Sequence, residues 1–419
     1  MIESWCFASG ILLPRKIREL GHNFVLVTRS PGFYSDYAPE NEEHPVVALA
    51  DEIVTCDTND IAELIRVCGS LRDRRAVDGV LSSCDYYIKA VAEVANALKL
   101  PSSPVEAVSA ALNKYLMRKT LQEKGVPTPR FFLARSELDA PEAAEQVGFP
   151  LIVKPADMNG SALVQKSNDL QTLKKGIALI NASSVNTRNQ TRFPGALVEE
   201  YLPGEEFSVE CCSFGGKVHV LGITDKKLGG RDGVVESGHM FPADISRQDA
   251  VGIEKHVTDA LEAVGYVNGV AHVEVRLTPR GPRIVEINPR IGGNYISDLV
   301  ERVTGVSPLT QMVQVALGES PDLPGSIPPA KRPESAAVAF VLPSGPGILA
   351  GYDGRNQTER SPGVVDCVLA PVGKKASAPE DNDCYLGHVI CVDPNGLRAG
   401  EMADTALSHL KPRIDGGEV

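Results

Sequence analysis

The sequence lacks a long apolar run: its longest uninterrupted apolar stretch, residues 336–342, is far below the ~18 residues that indicate a membrane-spanning helix. It also lacks a lysine- or arginine-rich run, and its formal charge of −12 disfavours a broad nucleic-acid-binding face. The N-terminus has no basic segment followed by a long apolar one, so no export signal is predicted. We therefore expect a soluble, cytoplasmic protein with neither nucleic acid nor a membrane as partner.

The nine cysteines are scattered, odd in number and without the Cys-x-x-Cys spacing of a zinc site. Reduced thiols in a cytoplasm are the simplest interpretation. At 419 residues the chain is long enough for two to three domains, at roughly 150 residues per domain.

The first hundred residues alternate short β-like runs with amphipathic helical runs, which is typical of parallel βαβ units. No Gly-x-Gly-x-x-Gly follows the first strand, so a Rossmann-like sheet without a dinucleotide site is predicted. The predicted strands are 23–28, 51–55 and 76–81, and the predicted helices are 11–20, 61–67 and 86–98.

A second region opens at Pro104 with one predicted helix over 105–124, and a Pro-rich joint at 321–333 precedes a mostly β C-terminal segment. The expected domains are 1–103, 104–320 and 321–419. Further predicted elements are strands at 151–153, 196–201, 207–213 and 217–224, helices at 248–264 and 401–410, and a hairpin over 270–287.

The hairpin carries the most informative pattern, because its period of two sorts the residues onto two faces. A three-residue loop, 279–281, would place Thr278 opposite Pro282 and Glu274 opposite Glu286. The face with the two glutamates is predicted to hold Val270, His272, Glu274 and Arg276 from the first strand, and Ile284, Glu286 and Asn288 from the second.

Two like charges opposite each other destabilise a strand pair, so this arrangement calls for a cation or a raised pKa. Oxygen ligands favour Mg²⁺, which takes one or two carboxylates plus phosphate oxygens, and Asn288 adds an amide oxygen. The alternative is a solvated hairpin face with two surface glutamates. Arg290 and Gly292-Gly293 favour the first interpretation, since a guanidinium and exposed backbone N–H groups suit a transferring phosphoryl group.

Lys154 stands at the end of an apolar strand, where it either meets an anion or is a strand-end charge that reaches water. The turn that follows contains Gly160 and Ser161, and its backbone amides could close over phosphates, although the Walker A spacing is missing. Residues 196–206 form a strand, a Pro-Gly turn and a returning strand, which is either a ligand site or an acidic hairpin tip.

Taken in order, Lys114, Lys154, the EEYLPGEE segment and the VEV…VEINPR hairpin resemble an ATP-grasp enzyme over residues 104–317. NKYLMRKTLQEKGVPTPRF, VESGHMFPA and EINPRIGG are similar to carboxylate–amine ligases of the L-amino-acid ligase (bacilysin synthetase) type. The resemblance implies an α/β and α+β fold with a Rossmann-like N-terminal domain, an ATP-grasp domain with a mobile lid at about 125–200, and a β-rich C-terminal domain.

The resemblance also implies roles for individual residues. Arg290 would contact the γ-phosphate and later an acyl phosphate. The loop 158–163 is poorer in Gly and Ser than in many family members, which bears on lid closure. The implied contacts are Lys114 and Lys154 to the α and β phosphates, Glu199, Glu200 and Leu202 to adenine, Glu206 to ribose, and Glu274, Glu286 and Asn288 to Mg²⁺ or Mn²⁺.

The expected reaction is ATP-dependent joining of a carboxylate and an amine, with ADP and phosphate released and an amino acid as one substrate. His239 is expected beside the substrate, as a carboxylate contact or an aid to amine deprotonation, or else as a hydrogen-bonded loop histidine. The rival functions are an ATP-grasp enzyme that activates bicarbonate or formate, and a catalytically silent ATP sensor. A homodimer is suggested by the resemblance alone, and the other substrate residues are expected to be Ser237, Gly292, Gly293 and Asn294.

Overall fold

The computed structural model describes residues 1–38, 43–229, 235–324, 332–379, 382 and 384–416. Near the N-terminus, β1 and β2 pair in parallel, and Ile2 forms a parallel bridge to Val27 on β1. The expected Rossmann-like alternation is therefore present. Its elements are α1 (Ser9–Glu19), β1 (Val25–Thr28), a 3₁₀ helix (Pro31–Tyr37), α2 (Pro45–Ala48), β2 (Glu52–Thr55), α3 (Ile61–Arg74) and α4 (Asp85–Ala97).

The strand predicted over residues 76–81 is wrong. These residues form no strand; instead Leu81 accepts one backbone hydrogen bond from Ile2 at 3.0 Å. Close packing explains the irregular path, since a Cβ on Gly79 would lie 2.5 Å from the carbonyl oxygen of Ala316. The apolar run therefore serves as a packing segment beneath the last helix of the central region.

The central region combines two sheets with helices. Its elements are α5 (Val105–Leu112), α6 (Lys114–Glu123), β3 (Phe131–Ala134), a 3₁₀ helix (Glu137–Asp139), α7 (Ala140–Val147), β4 (Leu151–Pro155), β5 (Gln165–Ser167), α8 (Leu170–Ala182), β6 (Ala196–Glu200), β7 (Glu205–Phe214), β8 (Lys217–Gly229), β9 (Val235–Phe241), α9 (Arg247–Val264), β10 (Gly269–Thr278), β11 (Gly281–Asn288), α10 (Ile296–Thr304) and α11 (Pro308–Ala316).

In the described residues, β3, β6, β4 and β5 form a four-stranded antiparallel sheet in that order. Helices α7 and α8 cover it through a core that includes Val147, Val153 and Ile177. The larger sheet, described as β11-β10-β7-β8-β9-β12-β16-β14, packs its β7, β10 and β11 strands on α5, α6 and α9. Helix α6 connects the two sheets, because its Arg118 contacts Glu199 on β6 and its Lys114 contacts Glu286 on β11.

The single helix predicted over 105–124 is interrupted at Asn113. Asn113 has extended backbone angles, φ −108° and ψ 109°, and its side chain accepts a hydrogen bond from the backbone N–H of Leu116 at 3.0 Å. An asparagine in this position caps a new helix. The interruption makes Lys114 the first residue of α6, and its backbone N–H donates to the carbonyl of Ala156 at 2.7 Å.

The hairpin β10–β11 pairs Glu274 with Glu286 as predicted, but through a different register. The connection has two residues, so Thr278 pairs with Gly281 and not with Pro282. A bulge beside Glu274 and Val275 leaves Val285 unpaired and restores the predicted alignment of the glutamates. Because the bulge switches faces, Ile284 is fully buried in the core and not on the acidic face, which corrects that prediction.

The C-terminal segment continues the larger sheet. Strand β12 pairs with β9, β16 with β12, and β14 with β16, all antiparallel. The domain boundaries at 103 and 320 stay predictions, and part of the Pro-rich joint, 325–331, lies outside the described residues. Its elements are β12 (Ser335–Phe340), β13 (Gly347–Asp353), α12 (Arg355–Glu359), β14 (Val364–Leu369), β15 (Lys375–Ala376), β16 (Gly387–Asp393), α13 (Ala399–Ser408) and β17 (Lys411–Asp415).

Strands β15, β13 and β17 form a small separate sheet at this end of the described chain. None of the helices described has the length and apolar character needed to cross a bilayer.

Candidate active site

A buried ion cluster surrounds Glu199 at the end of β6. Its carboxylate lies 2.5 Å from Nε of Arg118 on α6 and 2.6 Å from Nζ of Lys154 on β4. Burial opposes ionisation of Glu199, but the two cations outweigh it and lower its pKa to about 2. Burial also lowers the pKa of Lys154, and Glu199 partly offsets that effect. Lys154 is therefore not a strand-end charge in water; it is held in place inside the protein.

Lys114 and Glu286 connect α6 to the acidic hairpin. The ammonium of Lys114 lies 2.8 Å from Oε1 of Glu286 and donates to the carbonyl of Met158 at 2.6 Å. Met158 belongs to the loop between β4 and β5 that was predicted to close over phosphates. The structure thus brings both predicted phosphate lysines to the neighbourhood of this loop.

The loop adopts left-handed backbone angles at two neighbouring residues. Gly160 has φ 63° and Ser161 has φ 58°, and no atom would lie within 4 Å of a Cβ added at Gly160. The side chain of Asn159 accepts a hydrogen bond from the hydroxyl of Tyr86 at 3.0 Å, which joins the loop to α4. The roles of Gly160 and Ser161 at a nucleotide remain predictions.

The segment after β6 holds the residues predicted at adenine and ribose. Glu200 is paired with Arg130 at 3.5 Å and with Arg280, both on the surface. Leu202 is buried, and its carbonyl accepts from Nη1 of Arg276 at 3.1 Å. Arg276 also holds Glu206, with nitrogen–oxygen distances of 2.9 and 2.8 Å. This network fixes the turn between β6 and β7 against β10.

The two hairpin carboxylates face each other and are each neutralised by a different lysine. Glu286 pairs with Lys114, and Glu274 lies 3.2 Å from Nζ of Lys226. Burial disfavours ionisation of Glu274, but Lys226 and the neighbouring His272 lower its pKa below its ordinary value. Asn288 is buried in the strand position opposite His272.

This donor set fits a hard divalent cation that takes few protein ligands. No group of three carboxylate, imidazole or thiol side chains in the described residues is arranged to hold a metal by itself. Glu274, Glu286 and Asn288 supply oxygens only, which suits Mg²⁺ completed by phosphate oxygens and water. The assignment of a metal ion to these three residues stays a prediction.

His272, on β10, is linked through Glu210 to the turn that follows Arg290. Its Nδ1 lies 2.5 Å from Oε1 of Glu210, and the other oxygen of Glu210 accepts from the backbone N–H of Gly292 at 3.1 Å. Burial lowers the pKa of His272, but Glu210 and Glu274 outweigh it and raise the pKa to about 9. Gly292 is needed here because a Cβ would lie 2.9 Å from Glu210.

Arg290 is paired with Asp85, the first residue of α4, which was not identified as a site residue from the sequence. Its Nε donates to Oδ1 of Asp85 at 2.5 Å, and Asp85 also accepts from the indole N–H of Trp5 at 3.0 Å. Burial opposes the charge on Arg290, but Asp85 and the hairpin glutamates raise its pKa above its ordinary value. The guanidinium is thereby held in place by the first residue of α4.

The predicted substrate residues divide into two groups. His239 lies on β9, not in a loop, and its Nε2 is 3.2 Å from Glu236, which also accepts from the amide of Asn294 at 2.5 Å. Tyr385, from the C-terminal segment, donates its hydroxyl to the carbonyl of Glu236 at 2.8 Å. Ser237, by contrast, donates to the carbonyl of Lys227 at 3.3 Å and is not in this group.

Several polar and charged residues that contact the predicted site residues were not identified from the sequence. The most central is Lys226, whose Nζ lies 2.9 Å from Glu206 and 3.0 Å from Glu236. The sequence pattern predicted only the first part of β8. The strand runs to Gly229, five residues beyond the predicted end at 224, and Lys226 lies in this extension. The other residues missed are Asp85, Arg118, Glu210, Glu236 and Tyr385.

Comparison with known proteins places this geometry in a family. An ATP-grasp domain model matches residues 147–298, an ATP-grasp N-terminal domain model matches 15–102, and an L-amino acid ligase C-terminal domain 2 model matches 339–415. The chain thus has matches to an ATP-grasp N-terminal domain and an ATP-grasp domain, followed by a match to a C-terminal domain of L-amino acid ligases. In this domain order it is similar to L-amino acid ligases of the ATP-grasp type.

Individual relatives agree with this placement. Human carnosine synthase 1 is 28% identical over 280 residues, which cover 63% of this chain and 33% of that protein. Alanine–anticapsin ligase of Bacillus amyloliquefaciens is 25% identical over 69% of this chain and 61% of its own length. This chain thus spans about a third of the carnosine synthase and less than two thirds of the anticapsin ligase.

Solved structures share the fold over the full chain. An L-amino acid ligase from Bacillus licheniformis superposes with a TM-score of 0.78 at 22% identity, covering 97% of this chain and 96% of that one. A phosphoribosylglycinamide synthetase from Anaerococcus prevotii gives a TM-score of 0.74 at 20% identity, with 99% of both chains covered. The ATP-grasp architecture expected from the sequence is confirmed.

Proposed function

We propose that this protein joins a carboxylic acid to an amine in an amide bond, at the expense of ATP, with an amino acid as at least one substrate. The observation that carries the proposal is that Glu274, Glu286 and Arg290 lie in one buried charged cluster with Lys114 and Lys154. The match of the C-terminal segment to an L-amino acid ligase domain, and the relatives that ligate amino acids, support the choice of substrates.

In the first step a carboxylate oxygen of the acid attacks the γ-phosphorus of ATP. The bond from that phosphorus to the β-bridging oxygen breaks, which releases ADP and leaves an acyl phosphate. Lys114 and Lys154 would bind the phosphate chain, and Arg290 would hold the transferred group. A bound divalent cation at Glu274 and Glu286 would neutralise phosphate charge. Positioning and charge carry this step, so no protein nucleophile is required.

In the second step the neutral amine attacks the acyl carbon, the carbon–oxygen bond to phosphate breaks, and the amine gives up a proton. The pair formed by Glu236 and His239 lies on β9 beside Asn294, where it would face the substrates. His239 would contact the acid's carboxylate or accept the proton of the amine, and both roles stay open. The cytoplasmic location and the homodimer also remain predictions.

Product analysis tests the proposal. Purified protein with ATP and Mg²⁺ would be given pooled amino acids and small dicarboxylic acids, while ADP, AMP and phosphate are followed and mass spectrometry seeks new amides. We expect ADP and phosphate to appear only with a particular acid and amine. AMP with pyrophosphate would reject the acyl-phosphate mechanism, and turnover with bicarbonate or formate alone would favour the carboxylase or formate-activating alternative. ATP binding without any turnover would favour a sensor.

The variant Glu286→Gln tests the metal assignment within this reaction. It removes one of the two facing carboxylates while keeping the side-chain volume. We expect turnover to fall by about 100-fold or more, because the charge stabilisation of the transferred group is lost. If Glu286→Gln binds ATP and turns over as the unmodified protein does, the assignment of Glu286 to the metal is wrong.

A further inference from the structure

Lys226 lies at a meeting point of three strands. Its side chain is 5% exposed, and in the described structure its ammonium contacts carboxylates from β7, β9 and β10. Strands β7 and β9 are the two neighbours of β8, which carries Lys226, and β10 lies on the far side of β7. The distances to oxygens of Glu206, Glu236 and Glu274 are 2.9, 3.0 and 3.2 Å. Such a cluster of carboxylates would repel itself without a central cation.

Each of these carboxylates belongs to a different part of the proposed site. Glu206 is the predicted ribose contact and is also held by Arg276. Glu236 is bonded to His239 and Asn294 on the substrate side. Glu274 is one of the two facing hairpin carboxylates. Lys226 therefore links the regions expected to bind nucleotide, metal and substrates.

The carboxylate of Glu274 is already paired with a cation in the described structure. The oxygens of Glu206 and Glu274 lie 2.9 and 3.2 Å from Nζ of Lys226, which are hydrogen-bonding distances. A divalent cation that approaches Glu274 alone must therefore displace, or share the carboxylate with, a positive charge that is already paired. The triphosphate of ATP changes this balance, because it brings negative charge that Lys226 and the divalent cation can both neutralise.

We propose, on the basis of the function above, that Lys226 is a positioning residue that makes metal binding at Glu274 depend on bound ATP. In the nucleotide-free protein the ammonium holds Glu274 and excludes a free divalent ion. With ATP bound, the phosphate oxygens complete the ligand set and the metal enters together with the nucleotide. Thermodynamic reciprocity then requires that the metal also tighten ATP binding by the same factor.

The test measures Mn²⁺ binding to the full chain by electron paramagnetic resonance, with no acid or amine present. After subtraction of the Mn²⁺ that the analogue binds in a protein-free control, we expect Mn²⁺ to bind the unmodified protein at least about tenfold more tightly with a non-hydrolysable ATP analogue than without nucleotide, within the usual range of coupling between sites. In Lys226→Met, Mn²⁺ should bind the nucleotide-free protein at least about tenfold more tightly, and should raise its unfolding temperature.

Two variants serve as matched controls. Lys226→Arg keeps the charge and should bind Mn²⁺ as the unmodified protein does. Lys227→Met removes the adjacent lysine, which is exposed and paired with Asp404 at 2.6 Å, and should leave Mn²⁺ binding unchanged. In the double variant Lys226→Met/Glu274→Gln the gained affinity should disappear; if it persists, the ion binds elsewhere and the proposal is overturned.

Two further outcomes overturn it. One is unmodified protein that binds Mn²⁺ equally well with and without the ATP analogue, a result that does not require any variant to fold. The other is folded Lys226→Met that shows neither tighter Mn²⁺ binding nor stabilisation by Mn²⁺. Since no amide is formed in these assays, nucleotide-dependent metal binding by a protein that ligates nothing would support this inference and reject the proposed function.

Discussion

Replacing Glu199 by glutamine would decide what this buried carboxylate does. The resemblance places it at adenine, whereas the structure pairs it with Arg118 at 2.5 Å and Lys154 at 2.6 Å, at 4% exposure. Removing one partner of a buried ion pair costs about 3–5 kcal/mol, because the remaining charge is left uncompensated. Glutamine keeps an acceptor oxygen for one of the two cations, so we expect a loss near the lower end, about 3 kcal/mol.

The same substitution should alter how Lys154 meets the nucleotide. Burial already lowers the pKa of Lys154, and loss of Glu199 would lower it further. A lysine binds phosphate only when protonated. ATP affinity of Glu199→Gln should therefore decrease more steeply than that of the unmodified protein as the pH rises above neutrality. Urea unfolding at pH 7 and calorimetric titration with ATP between pH 6.5 and 9 would measure both effects.

Glu200→Gln provides the matched control, since its partners Arg130 and Arg280 are more than half exposed. An exposed pair contributes about 0–1 kcal/mol to stability, so little change in the free energy of unfolding is expected for Glu200→Gln. The reasoning is refuted if Glu199→Gln unfolds within about 1 kcal/mol of the unmodified protein while its ATP affinity falls more than about tenfold at every pH. That result would make Glu199 a direct nucleotide contact.

Other predictions follow from single contacts. Asn113→Ala should lower the free energy of unfolding by about 1 kcal/mol through loss of the α6 cap, and raise the KM for ATP by displacing Lys114; an unchanged KM would contradict the link. Asp85→Asn should reduce kcat by up to about 100-fold by releasing Arg290, with ATP affinity retained, and equal losses in both would contradict it. Burial lowers the pKa of His256 to about 4, from 6.5 when unfolded, so its contribution is present above pH 6.5 and lost as the pH falls towards 4. Between pH 7 and pH 5, the free energy of unfolding measured in urea should fall by about 2 kcal/mol less in His256→Gln than in the unmodified protein. An identical pH dependence of the two proteins would refute this role of His256.

Patterns of local origin were predicted well from the sequence. The parallel β1–β2 pair, α9 and the strands β4, β6, β7, β8, β10 and β11 follow hydrophobic period and turn residues, and the structure has them within about five residues. The short strands β3 and β5 and the strand β9 were not predicted. The facing of Glu274 and Glu286 was also predicted, but two errors cancelled: the loop is one residue shorter, and the bulge at Val285 compensates. A period of two cannot reveal a bulge, because nothing local distinguishes Val285 from its neighbours.

Contacts between distant segments were beyond reach. Asp85 is 205 positions from Arg290, and Arg118 is 81 positions from Glu199. No spacing rule connects such residues, and each resembles an ordinary surface charge until the fold buries it. Asn113 is different, since its capping chemistry was visible in the sequence, and the continuous apolar pattern of the two helices concealed it.

The pairing of β12 with β9 has a consequence for how this family diverges. Ala336, Ala337, Val338 and Ala339 form a ladder with the strand that carries Glu236 and His239. A polypeptide that ended at residue 320 would leave the backbone of β9 as an open edge, prone to wrong pairing. The C-terminal segment is thus not an exchangeable module: a recombination event that replaced it would reshape the strand facing the substrates. New substrate preferences should therefore arise more readily by point substitutions in β9 and β12, which are inherited together, than by recombination at the Pro-rich joint.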